Sequence, residues 1–151
     1  MGNSVIKMWK ERTLSDTEGI SPSHQHHLHE LLLLLEGEIE MHIAGRTYQI
    51  SPGHLIFISH VEMHDLHPIR LPYHRYGMHI TADGLRGITS NPMLASIFTH
   101  REKNFCHVVD VRTCLTEIEA LFDKMYREST APGVYSQEWL SDTFGIFLIE
   151  L

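Results

Sequence analysis

The chain is poor in the features that define several large classes of protein. It has only two cysteines, Cys106 and Cys114, and no CxxC pair, so neither a disulfide framework nor a zinc ribbon is indicated and both read as reduced thiols. Twelve Lys and Arg stand against nineteen Asp and Glu, a net charge of −7 with histidines neutral. No basic cluster interrupts that balance, so these residues by themselves are expected to bind DNA poorly. The longest purely apolar run, Leu31 to Leu35, is far too short to cross a bilayer, and Met1 to Arg12 has no apolar signal-peptide core. A cytoplasmic protein with no membrane partner is the expectation. Low-complexity tracts are missing as well. At 151 residues and 42% hydrophobic content, the chain has enough apolar mass for one globular domain.

Histidine is what the sequence has in excess. There are thirteen, eleven of them between His24 and His79, and a side chain titrating near pH 6.5 makes the net charge change steeply just below neutrality.

Periodicity indicates strands first and helices later. Ile39, Met41 and Ile43 alternate with Glu40 and His42, as in a strand with one wet face. Ala44-Gly45 reads as a turn, Arg46 to Ile50 as a strand, Ser51-Pro52-Gly53 as a break, and His54 to Ser59 as a buried strand. The five leucines after Glu30 carry no 3.6-residue period and run straight into Gly37, which predicts a strand buried on both faces rather than a helix. Tyr73 to Thr81 completes the series. After Asp83-Gly84 the texture changes: Ser90-Asn91-Pro92 opens a short helix over 92–99, and Phe105 to Val111 returns to the sheet. Leu115, Ile118, Leu121, Phe122 and Met125 then recur at helical spacing, as do Leu140, Phe144, Phe147, Leu148 and Leu151 after the Ala131-Pro132-Gly133 break. The fold class is mostly β, a barrel over 1–111 followed by a helical pair over 112–151. The second helix has no closing Gly, Asn or basic residue at Leu151, so the sequence is expected to be part of a longer protein.

The strongest local pattern is His24-x-His26-x-x-x-Glu30-x-x-x-x-x-x-Gly37, then Pro52-Gly53, then His64. In an extended strand positions 24, 26 and 30 point to one face, while His27 and His29 point to the other. Two imidazoles and a carboxylate, closed by His64, form a donor set suited to zinc, nickel, iron or manganese. Tyr76 and Met78 share parity on the last strand and are candidates for the wall of a small-molecule pocket.

These motifs resemble the two motifs of the cupin superfamily, a double-stranded β-helix barrel or jelly roll. The wider pattern adds the GRTYQISPGHLIFIS hairpin, EMH and two C-terminal helices. Over roughly Val5 to Leu151 it resembles the N-terminal effector-binding and dimerisation domain of AraC-type transcription regulators. His54 departs from that pattern by standing where the family usually has Asp. The cupin resemblance puts His24, His26, Glu30 and His64 on that superfamily's metal positions, where a divalent metal is expected. The AraC-type resemblance implies a small-molecule effector in the barrel, for which these residues and the parity-matched Tyr76 and Met78 are the candidates, and a homodimer formed through the C-terminal helices. It also implies DNA binding only through a further domain beyond Leu151. The competing class is an enzyme, a metal-dependent cupin acting as dioxygenase or isomerase.

Overall fold

The computed structural model describes residues 5–15, 21–24 and 27–151, with backbone alone for 21–24. Among the described residues six strands come first in the chain, β1 (Ile6–Thr13), β2 (Ser21–His24), β3 (Leu28–Ile43), β4 (Arg46–Ile50), β5 (His54–Ile58) and β6 (His64–Thr81), and a seventh, β7 (Val108–Asp110), comes later. Helices α1 (Ala82–Ile88) and α2 (Pro92–Thr99) separate β6 from β7, and α3 (Leu115–Thr130) and α4 (Ser136–Glu150) follow.

Two long strands organise the barrel. The first half of β3 pairs with β5 and with the second half of β6, which in turn pairs with β1. The second half of β3 pairs with β4 and with the first half of β6, which pairs with β2. Each long strand therefore bends from one layer into the other, and all pairings are antiparallel, the jelly-roll arrangement. The bend in β3 sits at Gly37, whose φ of +91° is open to glycine and whose added Cβ would lie 2.4 Å from the Pro72 carbonyl oxygen. At Ala44-Gly45 both residues have positive φ, which matches the twist of a two-residue hairpin between β3 and β4.

The five-leucine run is explained by burial on both faces. Leu31 and Leu33 enter a core between the sheet and the helices, whereas Leu32 and Leu34 enter the core between the two barrel layers. All four are at most 4% exposed, so no polar alternation could have been present.

Four sequence expectations change. Strand β6 begins at His64 rather than Tyr73, because Pro72 and Pro68 fall in or beside the stretch where the β3–β6 ladder slips register and a missing N–H disturbs no regular pairing. The strand expected over 105–111 contracts to Val108–Asp110. Residues Ala82–Ile88 form a helix despite two glycines: the Thr81 hydroxyl accepts from the Gly84 N–H at 2.9 Å and Leu85 is buried. Finally, the stripe Leu140, Phe144, Phe147 and Leu148 of the second C-terminal helix is not left open for the homodimer contact expected of these helices. They are 0–7% exposed and pack with Phe122, Met125 and the outer side of the sheet. The sheet covers the side of α4 that α3 leaves bare.

Candidate functional site

Glu30 opens the buried part of β3 on the face that looks into the barrel. The β3–β6 register places His79 directly opposite it, and opposite residues of an antiparallel pair share a face. Carboxylate oxygen Oε2 of Glu30 lies 3.2 Å from His64 Nε2 and 3.7 Å from His79 Nε2. His64, with 3% of its side chain exposed, stands at the start of β6, and its Nδ1 donates to the Glu62 carbonyl at 3.0 Å. That bond fixes the ring and turns Nε2 toward Glu30. Trp9 stacks edge-on against His79 at 4.6 Å between ring centroids, lying across Gly77, its register partner on β6. Around these polar groups the interlayer core is apolar, with Leu32, Ile58, Leu66 and Tyr73 among its members.

The electrostatics follow from that enclosure. Burial works against a charged His64 imidazole, but the Glu30 carboxylate and the Glu62 carbonyl outweigh it, so the His64 pKa is raised. Tyr73 is pushed up by burial first and then by the negative charge of Glu30, and its hydroxyl stays protonated.

Glu30 and His64 are thus brought together as the motif spacing predicts. His24 lies on β2 in register with His64, while its side chain and the whole of His26 fall outside the described residues. His29 does face away from Glu30: it is 1% exposed, accepts the His60 N–H at 3.1 Å and packs on Phe98. Tyr76 and Met78 share a face, but it is the helix-facing one, away from Glu30 and His64. There Tyr76 donates to Asp123 at 3.1 Å and lies 5.8 Å from the Phe122 ring. His79 and Trp9 join the site without having been singled out in sequence, since only the β3–β6 and β1–β6 registers bring them to it.

A second buried polar group anchors the other end of the β5–β6 connection. Glu62 accepts from His107 Nε2 at 2.6 Å, from the Ser59 N–H at 2.8 Å and from Arg101 Nε at 3.1 Å. Tyr48 completes it, 2.6 Å from His107 Nδ1. Burial would raise the Glu62 pKa, yet the hydrogen bonds from His107 and Ser59 and the charge of Arg101 bring it down to about 2.

A cavity of about 550 Å³ opens beside His79, lined also by Val5, Ile6, Leu28, Thr81 and Gln137. Among the described residues, no helix is long and apolar enough to cross a membrane.

Comparison with known proteins places this barrel. A family model for the AraC-like ligand binding domain matches residues 15–137. Similar solved structures include the Schizosaccharomyces pombe Cnp3 cupin domain, 14% identical over 58% of this chain and 64% of that one, with a TM-score of 0.48. KdgF from Halomonas sp. is 15% identical over 53% and 73%, with a TM-score of 0.47. A mutant of Bacillus subtilis oxalate decarboxylase OxdC is 14% identical over 52% and 22%, with a TM-score of 0.45. No curated protein matches the sequence.

Proposed function

The chain belongs to the AraC-like ligand binding domain family, and from that membership we propose that it senses a small-molecule effector inside the barrel and passes the signal through a homodimer to DNA-binding domains attached beyond Leu151. The observation that carries the reading is the Glu30–His64 pair, a partly buried carboxylate 3.2 Å from a buried imidazole at the edge of an apolar interlayer core. A few convergent polar groups in an apolar enclosure are what a ligand site needs. Residues 1–111 form the sensing barrel in this scheme, and 112–151 the helical segment that relays and dimerises.

A divalent transition metal fits the same residues. His64 donates Nδ1–H to a backbone carbonyl, the outer bond that metal-bound histidines usually make, and so presents Nε2 for coordination. The 3.2 Å separation from Glu30 is close to the roughly 3.4 Å between ligands in a tetrahedral site with bonds of about 2.1 Å. His24, His26, Glu30 and His64 would hold the ion, and His79 stands within reach of Glu30. The metal would supply a positive centre to an anionic or oxygen-bearing effector.

Signalling is linkage: an effector that binds one arrangement of the barrel more tightly shifts the population toward it. The apolar face available for pairing is Trp139, Ile146 and Ile149 on α4, which are 39%, 53% and 67% exposed. They recur on the side of the helix opposite the buried Leu140 and Phe144.

The test is a thermal-shift screen of the metal-supplemented protein against small organic acids, sugars and amino acids, with metal content measured in parallel. A stabilising compound whose effect is lost in Glu30→Gln, without turnover of the compound, supports the reading. Turnover would favour the metal-dependent cupin enzyme instead. A hit that still stabilises Glu30→Gln would overturn this site.

A further inference from the structure

The outer face of the second barrel layer gathers a different set of donors. Ile39, Met41 and Ile43 of β3 point inward with at most 1% exposure, so Glu40 and His42 between them point outward. On β6, His64 and Leu66 are buried, and Asp65 and His67 take the outer side. The register sets His42 opposite Asp65 and Glu40 opposite His67. Opposed residues have Cβ atoms about 5 Å apart and the next pair on the same face is about 7 Å along the strand, so four side chains can reach one point.

They do converge. His42 Nδ1 is 2.5 Å from Asp65 Oδ1, His67 Nε2 is 3.5 Å from the same oxygen, and His42 Nε2 is 3.3 Å from Glu40 Oε1. One donor atom each from His42, Asp65 and His67 lie within 4.8 Å of one another. An exposed histidine–carboxylate pair stabilises little by itself. A cation between these side chains would be bound by both rings as neutral nitrogen donors and by the carboxylate as an anionic one. Opening the His42–Asp65 contact to the ligand spacing of a tetrahedral centre takes a movement of about 1 Å, within side-chain rotation on a fixed ladder.

We propose that His42, Asp65 and His67, with Glu40 beside them, form a surface site for a divalent transition metal of the zinc, nickel or copper class. Two imidazoles and one carboxylate select these ions over calcium and magnesium, which take oxygen ligands. Half-exposed side chains leave the remaining positions to water or Glu40. An ion here would clamp β3 to β6 directly behind His64, on the opposite face of the same strand. The site stands independently of the effector reading, since it shares no side chain with the barrel interior.

The experiment is calorimetric titration of Zn²⁺ into the whole chain, wild type against the His42→Ala/His67→Ala double variant. The difference between the two proteins reports the outer site, whatever the interior binds. The double variant is expected to take up one equivalent fewer and to lose the corresponding zinc-dependent rise in melting temperature, with an unchanged circular dichroism spectrum. Equal stoichiometry and affinity in both proteins would overturn the site. Should the double variant fold poorly, His67→Gln, at a position half exposed to solvent, is expected to weaken zinc binding by about tenfold or more while leaving the metal-free melting temperature in place. Unchanged affinity there also overturns it.

Discussion

Replacing Glu62 by Gln keeps the shape of the side chain and removes its charge at a point where three donors meet. Its carboxylate accepts from His107 at 2.6 Å, Ser59 at 2.8 Å and Arg101 at 3.1 Å, and only 8% of the side chain is exposed. Gln can still accept from Ser59, but it leaves the Arg101 guanidinium without its counter-charge in a setting where 21% of that side chain sees solvent. Hydrogen bonds to charged groups contribute about 1.5–3 kcal/mol each, and breaking one side of a buried pair costs about 3–5 kcal/mol. A loss of about 3–5 kcal/mol is therefore expected at neutral pH, equivalent to a melting temperature lower by about 6–20 °C in a domain of this size. Urea unfolding followed by circular dichroism measures it. The pairing is isolated by a double-mutant cycle with Arg101→Met, for which a coupling energy of about 1–3 kcal/mol is expected. The folded-state pKa of about 2 lies below the ordinary 4.5, so the carboxylate's stabilisation is complete above pH 4.5 and declines as pH falls toward 2. A loss under about 1 kcal/mol, or additivity within about 0.5 kcal/mol in the cycle, would refute the view that this buried network ties the β5–β6 connection to the segment before β7.

Three further outcomes are expected. Gly77→Ala would place a Cβ 2.0 Å from the Trp9 ring; the cost is about 1–3 kcal/mol, and a shift in tryptophan fluorescence should show Trp9 leaving His79, whereas an unchanged spectrum and melting temperature would contradict the packing. His29 has its pKa lowered to about 4, by burial first and then by His60 and Arg101, with Glu62 opposing. Because the folded state disfavours its protonation, the contribution is full above pH 6.5 and falls away as pH drops toward 4, by up to about 3 kcal/mol; His29→Asn keeps an acceptor for the His60 N–H and should flatten that part of the stability–pH curve, so parallel curves would count against it. Ile149→Glu, at a site 67% exposed, should convert a dimer to a monomer in light scattering without unfolding, whereas Phe144→Glu, at a fully buried position, should unfold the helix region; a wild-type chain that is monomeric at micromolar concentration would remove α4 as the dimer face.

The sequence by itself determined the fold class and most of its elements. A run of five leucines without helical period, bounded by Glu30 and Gly37, has one economical solution, a strand with a core on each side, and Leu31 to Leu34 occupy both cores. The PG turn, the Ala44-Gly45 hairpin and the capped helix at Asn91 are local chemistry, legible because short-range sterics and hydrogen bonds decide them. The pairing of Glu30 with His64 was legible too, through strand parity and motif spacing. Tertiary structure decided the rest. Parity puts Tyr76 and Met78 on one face but cannot say which face looks into the barrel, and the helices claim that side of β6. The apolar stripe of α4 carries no mark distinguishing a partner's surface from the chain's own sheet, and here the sheet covers it. His79 reaches Glu30, and His42 reaches the Asp65 and His67 of β6, only through the register of two strands far apart in sequence. Register is a property of the assembled ladder, fixed by which faces are buried together, and no window of the sequence contains it.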